Sequence, residues 1–366
     1  MQRRRFLKLS VAGVLAGCGG GSTYVARLPE PLSSTRFHLT PLLPSIPGNA
    51  YSASALSDTG WVVGVERAPV SRGRLSPAWP LAQQLLVRIA PSGEHTVLLA
   101  PREPLPLFGM IRSTIGASAI SRDGSVLGWN TQQLVLWDSK GIAQLLNVPS
   151  SNLDSLPPLR TDEGTIYYVS TNYSLLYRLT VGGTPEYIPT TLGSMVERTV
   201  VALANNETFA GFGGPLGEYQ RPWRLYQGKE EFLPLPPGTY DGRLSAIQEN
   251  GDSVGVAGGL PLRYHGTQPV LLPLPPEFDR GWANGCNADT TVGTAYPSSL
   301  PGTTRALLWE GSSPVFLDSL FPDDSGWTFT SAQAINRLGQ ILATGRFDGN
   351  EYSVLLTPRI VGAPPT

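Results

Sequence analysis

The chain repeats one short phrase, most plainly over 118–128, where it reads SAISRDGSVLG. Small residues, one branched apolar residue, a polar turn with Gly and then alternating apolar residues specify a two-stranded hairpin, because a period of two flanks a turn signal. The phrase returns at 54–64 (SALSDTGWVVG), 245–255 (SAIQENGDSVG) and 333–345 (QAINRLGQILATG), with weaker copies at 202–211 (ALANNETFAG), 285–293 (GCNADTTVG) and 159–168 (LRTDEGTIYY). Set in register on the apolar residue before the turn, the copies align Leu56, Ile120, Leu159, Leu203, Ile247, Cys286 and Ile335, which are 64, 39, 44, 44, 39 and 49 residues apart by subtraction. One four-stranded propeller blade needs about 40 to 50 residues. The wider first interval reads as an insertion.

After each hairpin comes a third apolar strand, at 85–89, 134–137, 175–179, 223–226, 262–264, 306–309 and 352–356. Six of these lead to a Gly and then to a fourth strand that tends to run into Pro; the seventh meets Pro358 instead. A spare segment with the same signature, Phe37-His38-Leu39-Thr40-Pro41-Leu42, stands near the start of the chain with no repeat before it. It is expected to pair with the last blade and close a ring, since an unpaired edge invites aggregation. Residue size points the same way. Ser54-Ala55, Ser118-Ala119, Ser245-Ala246 and Ala283 fall on first strands, and Trp137, Tyr226, Tyr264 and Trp309 on third strands. Wedges that converge on an axis require small residues inside and large ones outside. The expected fold is an all-β, seven-bladed propeller of four-stranded antiparallel blades; a β-sandwich is the alternative and would not repeat this gradient.

Composition suits such a chain, because 34 Pro and 41 Gly are too many for a helical protein while 41% hydrophobic residues suffice for a core. Residues 1–17 read as an export signal: Arg3, Arg4, Arg5 and Lys8 precede an apolar run over 9–17 that is too short to span a bilayer. Arg3, Arg4, Phe6, Leu7 and Lys8 fit the twin-arginine export motif, with Gln2 where Ser or Thr is usual. Leu15-Ala16-Gly17-Cys18 has the form of a lipobox, so Cys18 is expected to be acylated and to become the mature N-terminus. An ordinary secretory signal with an incidental cysteine is the alternative. Residues 18–35 then form a lipidated flexible tether, 36–361 one propeller domain and 362–366 a tail. The expected location is the cell envelope, through the outer membrane, its periplasmic face or the cell surface. With Cys18 lipidated, Cys286 is the one remaining thiol, which leaves no intramolecular disulfide. A net charge of −1 gives no electrostatic reason to expect nucleic acid. A monomer is expected.

The repeats resemble the HAF-repeat extracellular proteins, whose units carry an Ala-Ile-Asn-x-x-Gly-Gln-Ile core followed by an Ala-Phe/Leu-Leu-Trp strand. The matches are 334–341 (AINRLGQI) and 306–311 (ALLWEG). The resemblance covers most of the mature chain and implies an exported propeller-like domain; it implies no enzymatic activity and no site residues.

The sequence presents no catalytic constellation, and neither a cofactor nor a metal is expected. His38, His95 and His265 lack metal-ligand spacing. Asp58, Asp123, Asp162 and Asn250 recur in turns, where short polar side chains satisfy the local backbone, and no Asp-x-Asp-x-Asp run suggests calcium. Asp323-Asp324 is the tightest carboxylate pair and sits in a loop with Pro322 and Gly326. Cys286 fills an apolar register position. The functional hint lies in loop length. Connections between second and third strands and between blades can be long, and in a ring they share one face; they carry Trp79, Tyr219, Tyr296 and Trp327. Loops on a rigid scaffold concentrate binding residues. The first expectation is therefore a lipid-anchored module that binds a glycan, peptide or protein without chemistry. The alternatives are a polysaccharide lyase or hydrolase with its site at the axis on the long-loop face, and a structural component of the envelope.

Overall fold

Each copy of the repeated phrase folds as the two inner strands of a four-stranded antiparallel sheet, and seven such sheets form the blades of a propeller. The structure, a computed structural model, describes residues 28–68, 84–99, 115–130, 133–146, 148, 158–169, 175–189, 196–215, 219–300 and 302–359. The innermost strands are Ala50–Leu56, Ile115–Ile120, Leu159–Arg160, Val196–Leu203, Gly242–Ile247, Arg280–Cys286 and Trp327–Ile335, for blades 1 to 7 in turn. In blades 1 to 6 the second, third and fourth strands follow in sequence order. Among the described residues the only helical elements are two short 3-10 turns, Asp318–Leu320 and Asp323–Ser325.

Blade 7 is completed from the other end of the chain. Phe37–Leu42 pairs antiparallel with Asn350–Pro358, from Phe37 opposite Pro358 to Leu42 opposite Ser353. Alternation explains the fit, because Phe37 and Leu39 bury one face in the cluster against blade 6, while Leu42 on the other face packs in the cluster against blade 1. A fifth, two-residue strand, Leu32–Ser33, pairs outside it, within the stretch expected to be tether. Beyond this ladder Arg359 N donates to Arg36 O at 2.8 Å, and blades 1 and 7 are joined where the Ala53 amide donates to Ser353 Oγ at 3.0 Å.

The core is not central. Seven buried clusters sit one at each blade interface, such as Val63, Leu86, Val126 and Trp137 between blades 1 and 2. Each blade therefore has two apolar faces and depends on both neighbours. Polar staples repeat along these interfaces. Trp137 Nε1 donates to Leu99 O at 2.8 Å, Tyr264 OH to Pro234 O at 2.7 Å, and Trp309 Nε1 to Pro273 O at 2.7 Å, each reaching back to where the preceding blade's fourth strand ends. Arginines on third strands reach the other way: Arg88 to Gly124 O at 2.6 Å and Arg224 to Gly251 O at 2.9 Å, both turn carbonyls of the next blade, and Arg263 to Ala288 O at 2.6 Å. In blade 4 the fully buried outer aromatic is Trp223 rather than Tyr226.

The glycine that ends the phrase has a steric cause. In six blades the inner strand bulges at one position, which leaves Ser54, Ser118, Val201, Ser245, Asn284 and Gln333 unpaired at the axis. Opposite, a Cβ on Gly64, Gly128, Gly211, Gly255 or Gly293 would lie 1.8–2.3 Å from a carbonyl oxygen of the first strand. Blade 7, which carries a second bulge, has Ala343 at this position. In blade 3 the pairing of Arg160 with Ile166 matches that of Ile120 with Val126, so the residue before the turn there is Arg160, one beyond the expected Leu159.

Candidate functional site: the two ends of the axial channel

Ring geometry brings the seven first strands together around a channel. Each strand starts at the face that carries the long connections and ends at the face that carries the hairpin turns. The bulge residues mark the middle.

Below the bulges, toward the hairpin turns, lies a cavity of about 960 Å³. This is the face opposite the one that loop length favours. Its mouth is ringed by the second residue of each turn: Asp58, Arg122, Asp162, Asn205, Glu249, Ala288 and Arg337 for blades 1 to 7. Charges alternate around most of this ring, and they engage one another. Arg122 Nε lies 2.6 Å from Asp162 and its Nη2 3.4 Å from Asp58. Arg337 Nε lies 3.0 Å from Asp58, and its Nη2 pairs with Glu249. Asn205 Nδ2 donates to Asp162 at 2.9 Å, and Asn206 Nδ2 donates to Glu249 O at 2.7 Å, which closes the circuit through six blades. Blade 6 contributes Ala288 and is bypassed.

The cavity wall holds two further groups of interest. Arg160, pushed below its usual pKa by burial, donates to Ser125 Oγ at 2.7 Å and Ser121 Oγ at 3.0 Å. Those serines also serve Asp123, whose carboxyl is held at about 2: burial opposes this, but hydrogen bonds from Ser121 and Ser125 and the charge of Arg160 prevail. Burial pushes the Cys286 thiol up to about 11, against the pull of Arg263. A thiol so protonated is a poor nucleophile at neutral pH.

Above the bulges, toward the long connections, a second cavity of about 410 Å³ is walled by Val201, Phe212, Arg243, Leu244, Trp282 and Asn284. Trp282 stacks on Tyr296, with ring centroids 4.8 Å apart and planes 27° apart. Arg243 is exposed, and its guanidinium has no hydrogen-bond or ion-pair partner among the described residues.

Of the aromatics expected on the rim, Tyr219 is 72% exposed on the connection between second and third strands of blade 4. Tyr296 backs Trp282. Trp327 contradicts the rim expectation: it is buried in the blade 7 cluster, parallel to Phe329 at 5.8 Å and against Phe347 at 5.2 Å, because the first strand begins at Trp327 itself. Trp79 lies outside the described residues, as do Cys18, Arg3, Arg4, Phe6, Leu7 and Lys8. The three histidines sit on outer strands: His38 on the closing strand, bonded to Ser33 Oγ at 2.8 Å, His95 on the fourth strand of blade 1, and His265 on the third strand of blade 5, 3.5 Å from Asp252. Asp323 and Asp324 are exposed on a 3-10 turn. No group of three or more potential metal ligands occurs among the described residues. Sequence reasoning missed Arg243 and Trp282, although both sit on first strands where small residues are the rule.

No protein-family model and no curated protein matches the chain. Solved structures similar to it include a streptogramin B lyase, at 13% identity and TM-score 0.54, covering 88% of this chain and 98% of that one. A catalytically inactive His-to-Ala variant of virginiamycin B lyase from Staphylococcus aureus, with quinupristin, is similar at 14% identity and TM-score 0.52, covering 88% and 99%. The β-propeller domain of the trilobed protease from Pyrococcus furiosus, described as an open velcro topology, is similar at 9% identity and TM-score 0.51, covering 85% and 93%. At these identities the likeness shows the fold alone.

Proposed function

We propose that the chain is an exported propeller, tethered to the cell envelope by lipid on Cys18, that binds a glycan, peptide or protein ligand without altering it. The observation that carries this reading is the contrast at the axis. Most of the charged side chains that converge on the hairpin-turn mouth are engaged with one another, with Asp289 the exception among the described residues, whereas the long-loop end offers a guanidinium without a partner among the described residues beside a supported indole. A lyase that depends on histidine would need that imidazole within reach of its substrate; here all three histidines sit on outer strands, away from the channel. The tether is supported by Arg3, Arg4, Phe6, Leu7 and Lys8 ahead of Leu15-Ala16-Gly17-Cys18.

Two measurements test the reading. A screen of glycans and peptides against the intact chain in detergent should retain a ligand whose mass is unchanged after prolonged incubation; conversion to product would contradict binding without chemistry. Export of a C18S variant should move the chain from the membrane fraction to the aqueous one, and an unchanged distribution would contradict the lipid tether.

A further inference from the structure

First strands keep small residues at the axis, and two neighbouring blades break that rule at one level. Pairing registers make the positions equivalent: Ser52, Gly116, Thr199 and Ser331 in blades 1, 2, 4 and 7 stand where blades 5 and 6 carry Arg243 and Trp282. Each lies one residue before the position that faces the phrase-ending Gly, or Ala343 in blade 7. A local departure from a pattern the rest of the fold obeys marks functional sites.

The two side chains are also placed differently from their kind elsewhere. Arg88, Arg224 and Arg263 are buried and spend their donors on neighbouring carbonyls, whereas Arg243 is exposed with its donors unspent among the described residues. Trp137, Trp223 and Trp309 are fully buried, whereas Trp282 is half-buried, held by Tyr296 behind it and open to the cavity. A cavity of about 410 Å³ falls in the range of small-molecule sites.

Resting on the binding reading above, we propose that this end of the channel takes an acidic saccharide, with a sugar ring lying on the free face of Trp282 and its carboxylate held by Arg243. The C–H face of a sugar ring is complementary to the electron-rich indole face. A guanidinium offers two parallel N–H donors to a carboxylate. Adjacent blades supply the two groups at one level, so they address neighbouring parts of one ligand.

The test is titration calorimetry on the intact chain in detergent, with a tri-uronate, a neutral trisaccharide of the same linkage and free acetate as probes. The uronate should bind, and its affinity should fall as salt rises. R243Q and W282A should each weaken it about tenfold or more, with R243K between R243Q and the parent. R337Q, at the opposite mouth, should leave the affinity unchanged, and melting curves establish that each variant is folded. Equal affinity for the neutral sugar, equal affinity of R243Q for the uronate, or displacement of the uronate by acetate at equivalent concentration would each overturn the proposal. So would failure of the tri-uronate to bind. The broader binding reading is decided separately by the ligand screen and fails if no ligand is retained or if a ligand is converted.

Discussion

The two mouths of the axial channel are built from the same seven strands and differ in what their charges do. At the hairpin-turn mouth Asp58, Arg122, Asp162, Glu249 and Arg337 pair with one another, so most of the charges that could meet a ligand are already engaged, and only Asp289 among the charged turn residues lining the cavity has no side-chain partner among the described residues. At the long-loop mouth Arg243 has no such partner among the described residues, and Trp282 is braced from one side only. Convergence of charge on an axis is therefore not by itself a sign of a site. What separates fastening from recognition is whether the donors and acceptors are already spent.

Both mouths exist only while the ring is closed, so the largest effect should come from opening it. Deleting residues 36–44 removes Phe37, Leu39 and Leu42 from buried positions. Burial of such side chains contributes about 1.5–3 kcal/mol each. The melting temperature should fall by about 10 °C or more; an unchanged melt would contradict closure.

Next in size is the bulge that lines both halves of the channel. A Cβ at Gly128 would sit 2.1 Å from Gly116 O, which backbone cannot yield cheaply. G128A should cost about 3 kcal/mol or more. A343G in blade 7, where Ala already stands, removes a buried methyl and loosens the strand, and should cost about 1–2 kcal/mol. Denaturant unfolding of the two variants gives the comparison directly, and equal costs would remove the steric account of the repeated glycine.

Acid should separate the ends. Glu66, fully buried near the long-loop end of its strand, accepts bonds from Ser45 N and Oγ at 2.7 Å, Ile46 N at 2.9 Å and Asn49 Nδ2 at 2.7 Å. Burial alone would push its pKa up; these four bonds bring it below the ordinary 4.5. Asp123, on a hairpin turn, is held at about 2 against an ordinary 3.8. A depressed carboxylate stabilises the fold above its unfolded pKa and loses that contribution as pH falls toward the folded value. Erosion should therefore begin below about pH 4.5 around residues 45–49 and only below about 3.8 around residues 121–125. Hydrogen exchange across this range reads the order, and simultaneous loss would show that the ends are not separately held.

The smallest effects contrast single arginines. R337Q breaks exposed ion pairs worth about 0.2–1 kcal/mol each, and the loss should shrink in high salt. R243Q breaks none among the described residues, so its melting temperature should match the parent's within about 1 °C. A larger loss for R243Q than for R337Q would mean that Arg243 is structural.

Much of this was legible in the chain itself. The phrase records the bulge, the turn and the facing glycine together, so spacing alone revealed seven blades, and the Pro-terminated segment at 37–42 announced the closing strand. The misreadings have physical causes. Arg160 occupies a position that is apolar in the other repeats, since its guanidinium is satisfied by Ser121 and Ser125 of the neighbouring blade, and this shifted the third register by one. Trp327 looked like a loop aromatic because Asp323–Ser325 forms a 3-10 turn that extends the connection only to Gly326. Leu32–Ser33 is too short to carry a period. Arg178 completes a series on third strands with Arg88, Arg224 and Arg263 that could have been read as an interblade staple. Arg243 and Trp282 could have been found by asking where the small-inside rule fails.

Ligand footprinting by hydrogen exchange tests the division of labour most directly. With a tri-uronate added to the intact chain in detergent, protection should rise at 242–244 and 280–283, where the first strands of blades 5 and 6 start. Protection confined to the turns at 57–60, 121–124 and 335–339 would place recognition at the fastened mouth and contradict the account.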